Sequence, residues 1–574
     1  MKNGSSILST AGLALLVAAS VSHAANVTLT TSDPINTSSF DTAGKWSDGQ
    51  PPSPANDYFT GPYFMRTPAT AGNYTFAGRS LTIEQPTIAG VRSILFKGGN
   101  NDVLTINNLT NAFGGILENG GSGNATVTFT GNLFTIAANS AVVANQGPLI
   151  LDYPLVGAEG VILTNAGGNG TGITYNGNNS GFKGKFYLST INFGNGGGAT
   201  RVILNAPDSQ LGNPSVFTPD QILLEAGCTL QDNVGLNFNN PNSGITLAGN
   251  ATINAAVVTL MSQPITDNGG GFTLTKAGFG TLQISGANTY SGGTIVAEGT
   301  LQIGASGSLP AGNLTVNGTL DLNGFNTTVN GLDGNGVIDS LAAGTVTLTI
   351  GANGGGGNFT GSVLNSAGTL NLTKIGAGVQ SISSFSHSGR TLVAGGTLNL
   401  STVSGVVPFV PGDLVVSNAA VVNIDASLGT PLPANNVTVG TNSTITLAAA
   451  IGNTSLNITG TLTLQSNSTN VINFGTLLSN PGIAPITAGN VTATGPNAVI
   501  KINAVGLQTG TFPLIDYTGS APSLANIVLE MPPGLSATLQ VNAGAGTIDV
   551  NISAAAKNLT WYGANGTAWD LSTI

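Results

Sequence analysis

Short runs in which apolar and polar residues alternate with period two fill most of the chain. Thr281-Leu282-Gln283-Ile284-Ser285, Thr300-Leu301-Gln302-Ile303, Leu314-Thr315-Val316-Asn317 and Thr319-Leu320-Asp321-Leu322 each place one apolar face and one polar face on a short strand. Glycine and asparagine punctuate their ends, as at Gly286-Ala287-Asn288 and Gly312-Asn313. No stretch of the body shows the i, i+3, i+4 apolar stripe of an amphipathic helix. The pattern therefore predicts an all-β protein of many short strands.

The strands recur. Gly-Thr-Leu stands at 280–282, 299–301, 318–320, 368–370, 396–398, 460–462 and 475–477, and the first three copies are each 19 residues apart. A period near 20 residues is the mark of a solenoid. A right-handed parallel β-helix follows, in which every coil buries its apolar face between its neighbours. The wider gaps between later copies fit coils that have drifted or carry insertions. A β-sandwich array would also give alternating strands, but it accounts less well for the repeated step.

Composition sharpens this picture. Only 7% of the 574 residues are charged, and 83 are glycine. With 41% hydrophobic residues the chain can bury a large core, which separates it from disordered, highly charged sequences. A formal net charge of −10 with 14 lysines and arginines excludes a phosphate-neutralising, nucleic-acid-binding role. The N-terminus reads as a secretory signal: Lys2, an apolar run from Ile7 to Val21, and Ser22-His23-Ala24, with cleavage expected before Ala25. No later stretch is apolar for long enough to span a membrane. Cys228 is the single cysteine, so no internal disulfide forms and a buried, inert thiol is expected.

The boundaries drawn from these patterns are a signal peptide at 1–24 and an N-terminal β region with a Trp/Gly opening coil at 25–140. The β-helix occupies 141–504, and 505–555 forms a closing β segment. Residues 556–574, with Trp561 and Trp569, start a further, truncated unit.

A longer repeat lies inside the helix. One copy runs from Leu274-Thr275-Lys276-Ala277-Gly278-Phe279-Gly280-Thr281-Leu282 through Ser285-Gly286-Ala287-Asn288-Thr289-Tyr290-Ser291-Gly292-Gly293-Thr294 to Gly299-Thr300-Leu301. A second copy, at 370–400, opens Leu372-Thr373-Lys374-Ile375-Gly376-Ala377-Gly378 and closes Gly395-Gly396-Thr397-Leu398, with Phe385-Ser386-His387-Ser388 in place of the Asn-x-Tyr core. The first copy, 274–303, resembles the autotransporter-associated β-strand repeat of exported bacterial passenger proteins. The resemblance implies a large surface protein with a β-helical passenger. The chain lacks the barrel-like C-terminal stretch and the sorting tail found in members of that group, so the expectation is a passenger-type stalk.

Candidate chemistry is sparse. Parallel β-helices can carry polysaccharide lyases and hydrolases, which need converging carboxylates and a nearby base. The densest acids are Asp321, Asp333 and Asp339, which read as turn residues beside glycine. Beyond the signal there is one histidine, His387, which reads as a solvated turn residue. With one cysteine and one histidine, no Cys/His zinc site can form. Lys276 and Lys374, at matching places in the two copies, read as charges at a coil edge that limit sideways aggregation. Tyr290, Trp46, Trp561 and Trp569 could stack on sugars, although core or corner packing accounts for each. The reading assigns no catalytic, cofactor-binding or metal residue. It gives an exported or cell-surface structural and adhesive protein that contacts glycans, extracellular matrix or neighbouring cell-surface molecules. A β-helix polysaccharide lyase or hydrolase, and a non-catalytic carbohydrate-binding array, are the alternatives.

Overall fold

In a computed structural model the described residues are 24–84, 94–97, 102–112, 115–120, 126–144, 147–165, 172–191, 198–207, 211–385, 387–401 and 412–554. They contain strands, turns and bends and no helix. The residues cited at 561 and 569, and the signal segment up to His23, lie outside them.

Consecutive strands join consecutive sheets. Val127–Thr130, Leu133–Ile136 and Ser140–Ala144 belong to three different sheets, and Leu149–Asp152, Leu155–Gly157 and Val161–Asn165 return to the same three in the same order, each paired in parallel with its predecessor. This is a parallel β-helix with three faces. One face is a twelve-stranded sheet from Asn73–Thr75 to Leu332–Asp333. The second begins as a six-stranded sheet, and from Asn237–Phe238 a fourteen-stranded sheet takes its turn in the order. The third begins as an eight-stranded sheet and gives way to a second twelve-stranded sheet at Thr327–Val329.

Past Leu332–Asp333 the first face ends and the helix continues on two sheets. Its strands lengthen, to nine residues in Leu456–Leu464 and eight in Thr469–Thr476. Register shifts between Ile458 and Thr461 and between Asn473 and Gly475 mark irregularities within these strands.

The predicted 19-residue step is real: Thr281, Thr300 and Thr319 are partners on three adjacent strands, and Leu282, Leu301, Leu320 and Ile338 form one buried column beneath them. Like aliphatic side chains stacked at strand spacing pack closely in the interior. The later Gly-Thr-Leu copies are not all equivalent. Thr397-Leu398 enters the fourteen-stranded sheet like the first three, whereas Thr369-Leu370 and Thr461-Leu462 lie on the second twelve-stranded sheet. At 280–282, 299–301, 318–320, 368–370 and 396–398 the tripeptide marks a corner entering a strand, whereas Gly460-Thr461-Leu462 lies within Leu456–Leu464 and Gly475-Thr476 ends Thr469–Thr476.

Both ends depart from the parallel stack. Near the N-terminus, Trp46 forms an antiparallel bridge with Leu29 and packs edge-on against Tyr58 at 4.8 Å between ring centroids, with Phe40 and Phe76 beside them. At the other end Gly510–Tyr517 pairs antiparallel with Thr547–Ala554, which pairs antiparallel with Ser536–Asn542. These two antiparallel pairings add Thr547–Ala554 and then Ser536–Asn542 to the edge of the second twelve-stranded sheet.

Candidate binding surface

Of the three acids singled out by the sequence, two are neighbours and the third stands apart. Asp321 and Asp339 are register partners on the fourteen-stranded sheet, while Asp333 belongs to the first twelve-stranded sheet. Each carboxylate is occupied by the backbone. Asp321 accepts the N–H groups of Asn323 (2.8 Å) and Leu341 (3.0 Å), and Asp339 accepts the N–H of Ser366 (2.9 Å) and its hydroxyl (2.6 Å). Asp333 accepts the N–H of Asn358 at 2.8 Å. Among the described residues no three His, Cys, Asp or Glu side chains come together as a metal-ligand set. An apolar cavity between Ile445, Leu464, Ile486 and Ile500 has no titratable residue in its lining.

Asp267, which the sequence reading passed over, is a corner anchor of the same kind. It accepts N–H groups from Gly269, Gly271, Phe272 and Ser291 and the Ser291 hydroxyl, at 2.7–3.1 Å. Burial acts to raise its pKa, but these donors outweigh it and hold the carboxyl at about 2. The signal was present in Asp267-Asn268-Gly269-Gly270-Gly271, an acid opening a glycine turn.

Two expectations are overturned. His387 is not a solvated turn residue: it is 3% exposed, its Nε2 lies 3.3 Å from the Thr391 hydroxyl, and burial pushes its pKa down to about 4. Thr391 is the counterpart of Thr294, whose hydroxyl meets the buried Tyr290 hydroxyl at 2.8 Å. His387 therefore fills in the second copy the place of Tyr290 in the first, each ring four residues ahead of the threonine it meets. Lys276 and Lys374 are not edge charges either. Both side chains are fully buried, and burial lowers the pKa of each, that of Lys276 to about 8.

Other residues sit as their types suggested. Cys228 is buried, and desolvation raises its thiol pKa, which leaves it inert. Tyr290 and Trp46 are core residues, and Trp46 donates its indole N–H to the Ser39 carbonyl at 2.7 Å. Asn288 of the Asn-x-Tyr core is buried too. It accepts the Ile265 N–H and donates its amide to the Ser308 carbonyl, and so ties three successive coils.

What remains outside is a polar face, rich in amides, with an apolar rim. On the outer side of the fourteen-stranded sheet, Gln283 donates its amide to Gln302 at 2.6 Å and Gln302 donates to the Asp321 carboxylate at 2.8 Å. Further along, Asn423 donates to Asn399 at 2.9 Å and Asn399 to the Ser381 hydroxyl at 3.1 Å. Each amide fixes its neighbour's rotamer and keeps a second N–H and oxygen lone pairs for an outside partner. No lysine or arginine lies on the strands of this sheet between Thr281–Ile284 and Val421–Asp425. At the corner leading into this face, Phe279 is 87% exposed, and Val257 and Val258 of the preceding coil and Val234 of the coil before that are exposed with it. These residues follow Thr229–Asp232, Ala251–Ala255 and Leu274–Ala277, adjacent strands of one sheet, so they form a ridge along one corner. The signal for Phe279 was a large aromatic between two glycines, where no core could take it.

Comparison with known proteins places the repeat. Residues 274–303 and 372–400 match the passenger-associated-transport-repeat. The chain is also similar to the adhesin BmaC autotransporter of Brucella suis biovar 1 (strain 1330), with 28% identity over 336 residues. That similarity covers 52% of this chain and 9% of the much longer relative.

Proposed function

We propose that this chain, with two passenger-associated transport repeats inside a parallel β-helix, is an exported cell-surface stalk that adheres through its outer face. The observation that carries the reading is the pairing of the Phe279 ridge with the Gln283–Gln302 amide ladder. An exposed aromatic ring takes the C–H face of a sugar, and fixed amides match its hydroxyl groups. The charge-poor surface between them suits neutral glycans better than phosphate or sulfate groups. The similarity to an autotransporter adhesin supports adhesion, and the carboxylates held by backbone N–H groups offer no proton-transfer pair for a lyase or hydrolase. Export proceeds through the general secretory route with removal of residues 1–24, and extracellular matrix and neighbouring cell-surface molecules are the sources of the glycans.

The test is a glycan array probed with the mature chain, alongside Phe279→Ala and Gln302→Ala. Glycan binding that falls at least tenfold in both variants, with unchanged circular dichroism, is the expected result. Binding that neither substitution alters moves adhesion elsewhere, and cleavage of an array polysaccharide overturns the reading in favour of an enzyme.

A further inference from the structure

Lys276 and Lys374 occupy positions where a lysine has no ordinary business. In the register of its sheet Lys276 stands between Ile253 on one side and Val296 on the other, in a column of core side chains. Lys374 stands between Ile350 and Val393 in the same way, on a different sheet. The aliphatic stems continue the core, and the heads turn to the corner.

There the two ammonium groups make the same three bonds. Lys276 Nζ donates to the carbonyls of Ala277 (2.9 Å), Gly278 (2.6 Å) and Glu298 (3.0 Å). Lys374 Nζ donates to those of Ile375 (2.6 Å), Gly376 (3.1 Å) and Gly395 (3.4 Å). Two acceptors come from the lysine's own corner. The third comes from the corner of the next coil, just before Gly299 or Gly396. An ammonium has three N–H donors and no acceptor, so three carbonyls satisfy it completely.

The glycines of Lys-x-Gly-x-Gly build this cage. Gly278 and Gly376 have φ of +78° and +67°, in the left-handed region. A Cβ on Gly280 would overlap the backbone of Val257, and one on Gly378 would overlap the carbonyls of Gly354 and Gly355. The motif is thus one device: a cation, a corner shaped to offer it carbonyls, and a close approach between coils. Charge-assisted bonds of this kind are stronger than those between neutral groups.

We infer that Lys276 and Lys374 are inter-coil clasps, each locking the corner of its own coil to the corner of the following one, and that they make 274–303 and 372–400 the segments of the solenoid most resistant to opening. Coils with valine or isoleucine at the same place in the column have no cation joining corner to corner there.

Native-state hydrogen exchange on the full chain tests this. The amides of 274–303 and 372–400 are expected to be among the slowest to exchange. Lys276→Met keeps the stem and removes the donors; it should speed exchange at least tenfold in 274–303 and leave 372–400 unchanged, with the reverse pattern for Lys374→Met. Unchanged exchange in the nearby segment, or an equal rise in both, overturns the proposal. Reductive methylation of the unaltered folded protein gives a readout that needs no variant. Lys45 and Lys183, which are exposed, should be dimethylated while Lys276 and Lys374 stay unmodified. Equal labelling of all four overturns the clasp.

Discussion

His387 has its imidazole buried beside Thr391 with a folded pKa near 4, against an ordinary value of about 6.5. The unfolded chain therefore binds a proton between those values that the folded chain refuses. Stability is full above about pH 6.5 and falls as pH drops from there toward 4, by on the order of 3 kcal/mol over the window. Thermal melting at pH 7 and pH 4.5 should show this loss, and His387→Tyr, which restores the residue type of the first copy, should flatten the dependence. The ring's position was only half legible. Its spacing to Thr391 matches that of Tyr290 to Thr294, but a histidine among serines looks like a turn until the two copies are superposed. Lys276 is the sharper lesson. The alternation Leu274-Thr275-Lys276 puts it on the inward side with Leu274, and the residue's identity argued against its own pattern. What resolves the conflict is the glycine corner, which brings three carbonyls to where the ammonium ends, and no reading of single residues contains that geometry.

The strands of the first repeat copy could be read directly, because a 19-residue step stacks like on like: Thr281 on Thr300 on Thr319, Leu282 on Leu301 on Leu320. The corners were less readable. Gly-Thr-Leu looked like one repeat, yet Thr369 and Thr461 begin or continue strands on another face than Thr281 does. In most copies the tripeptide records a local requirement, a backbone passing close to the coil before it; Gly475, whose Cβ would meet nothing, is the exception. Gly280→Ala tests this requirement. Its Cβ would meet the Val257 backbone, which cannot swing aside as a side chain could, and the substitution should destabilise the protein by more than about 1 kcal/mol. Gly482→Ala, whose Cβ meets nothing, should leave the melting curve in place. The candidate surface was less legible than the fold. Gln283 and Gln302 alternate with core residues and were assignable to an outer face, but their mutual hydrogen bond depends on how coils stack.

At the scale of the whole molecule, the solenoid passes from three faces to two after Leu332–Asp333, and its core column continues through the change. Strand pairing joins each coil to its neighbours, and Tyr153 and Gln380 reach one coil further, to Ile106 and Leu332, so stability is close to a chain of local terms with two charged clasps on separate sheets. Burying those lysines has an effect at the surface. Between Arg201 and Arg390 the sequence holds no lysine or arginine except Lys276 and Lys374, and both are fully buried. A trypsin-like protease would find no basic side chain to seat in its pocket anywhere along that span of folded protein. Limited digestion should leave a single long fragment there, cut at Lys276 and Lys374 only once the coils are unfolded. Few charges and hidden ones together leave a long stretch of folded protein with nothing for one large class of proteases to grip.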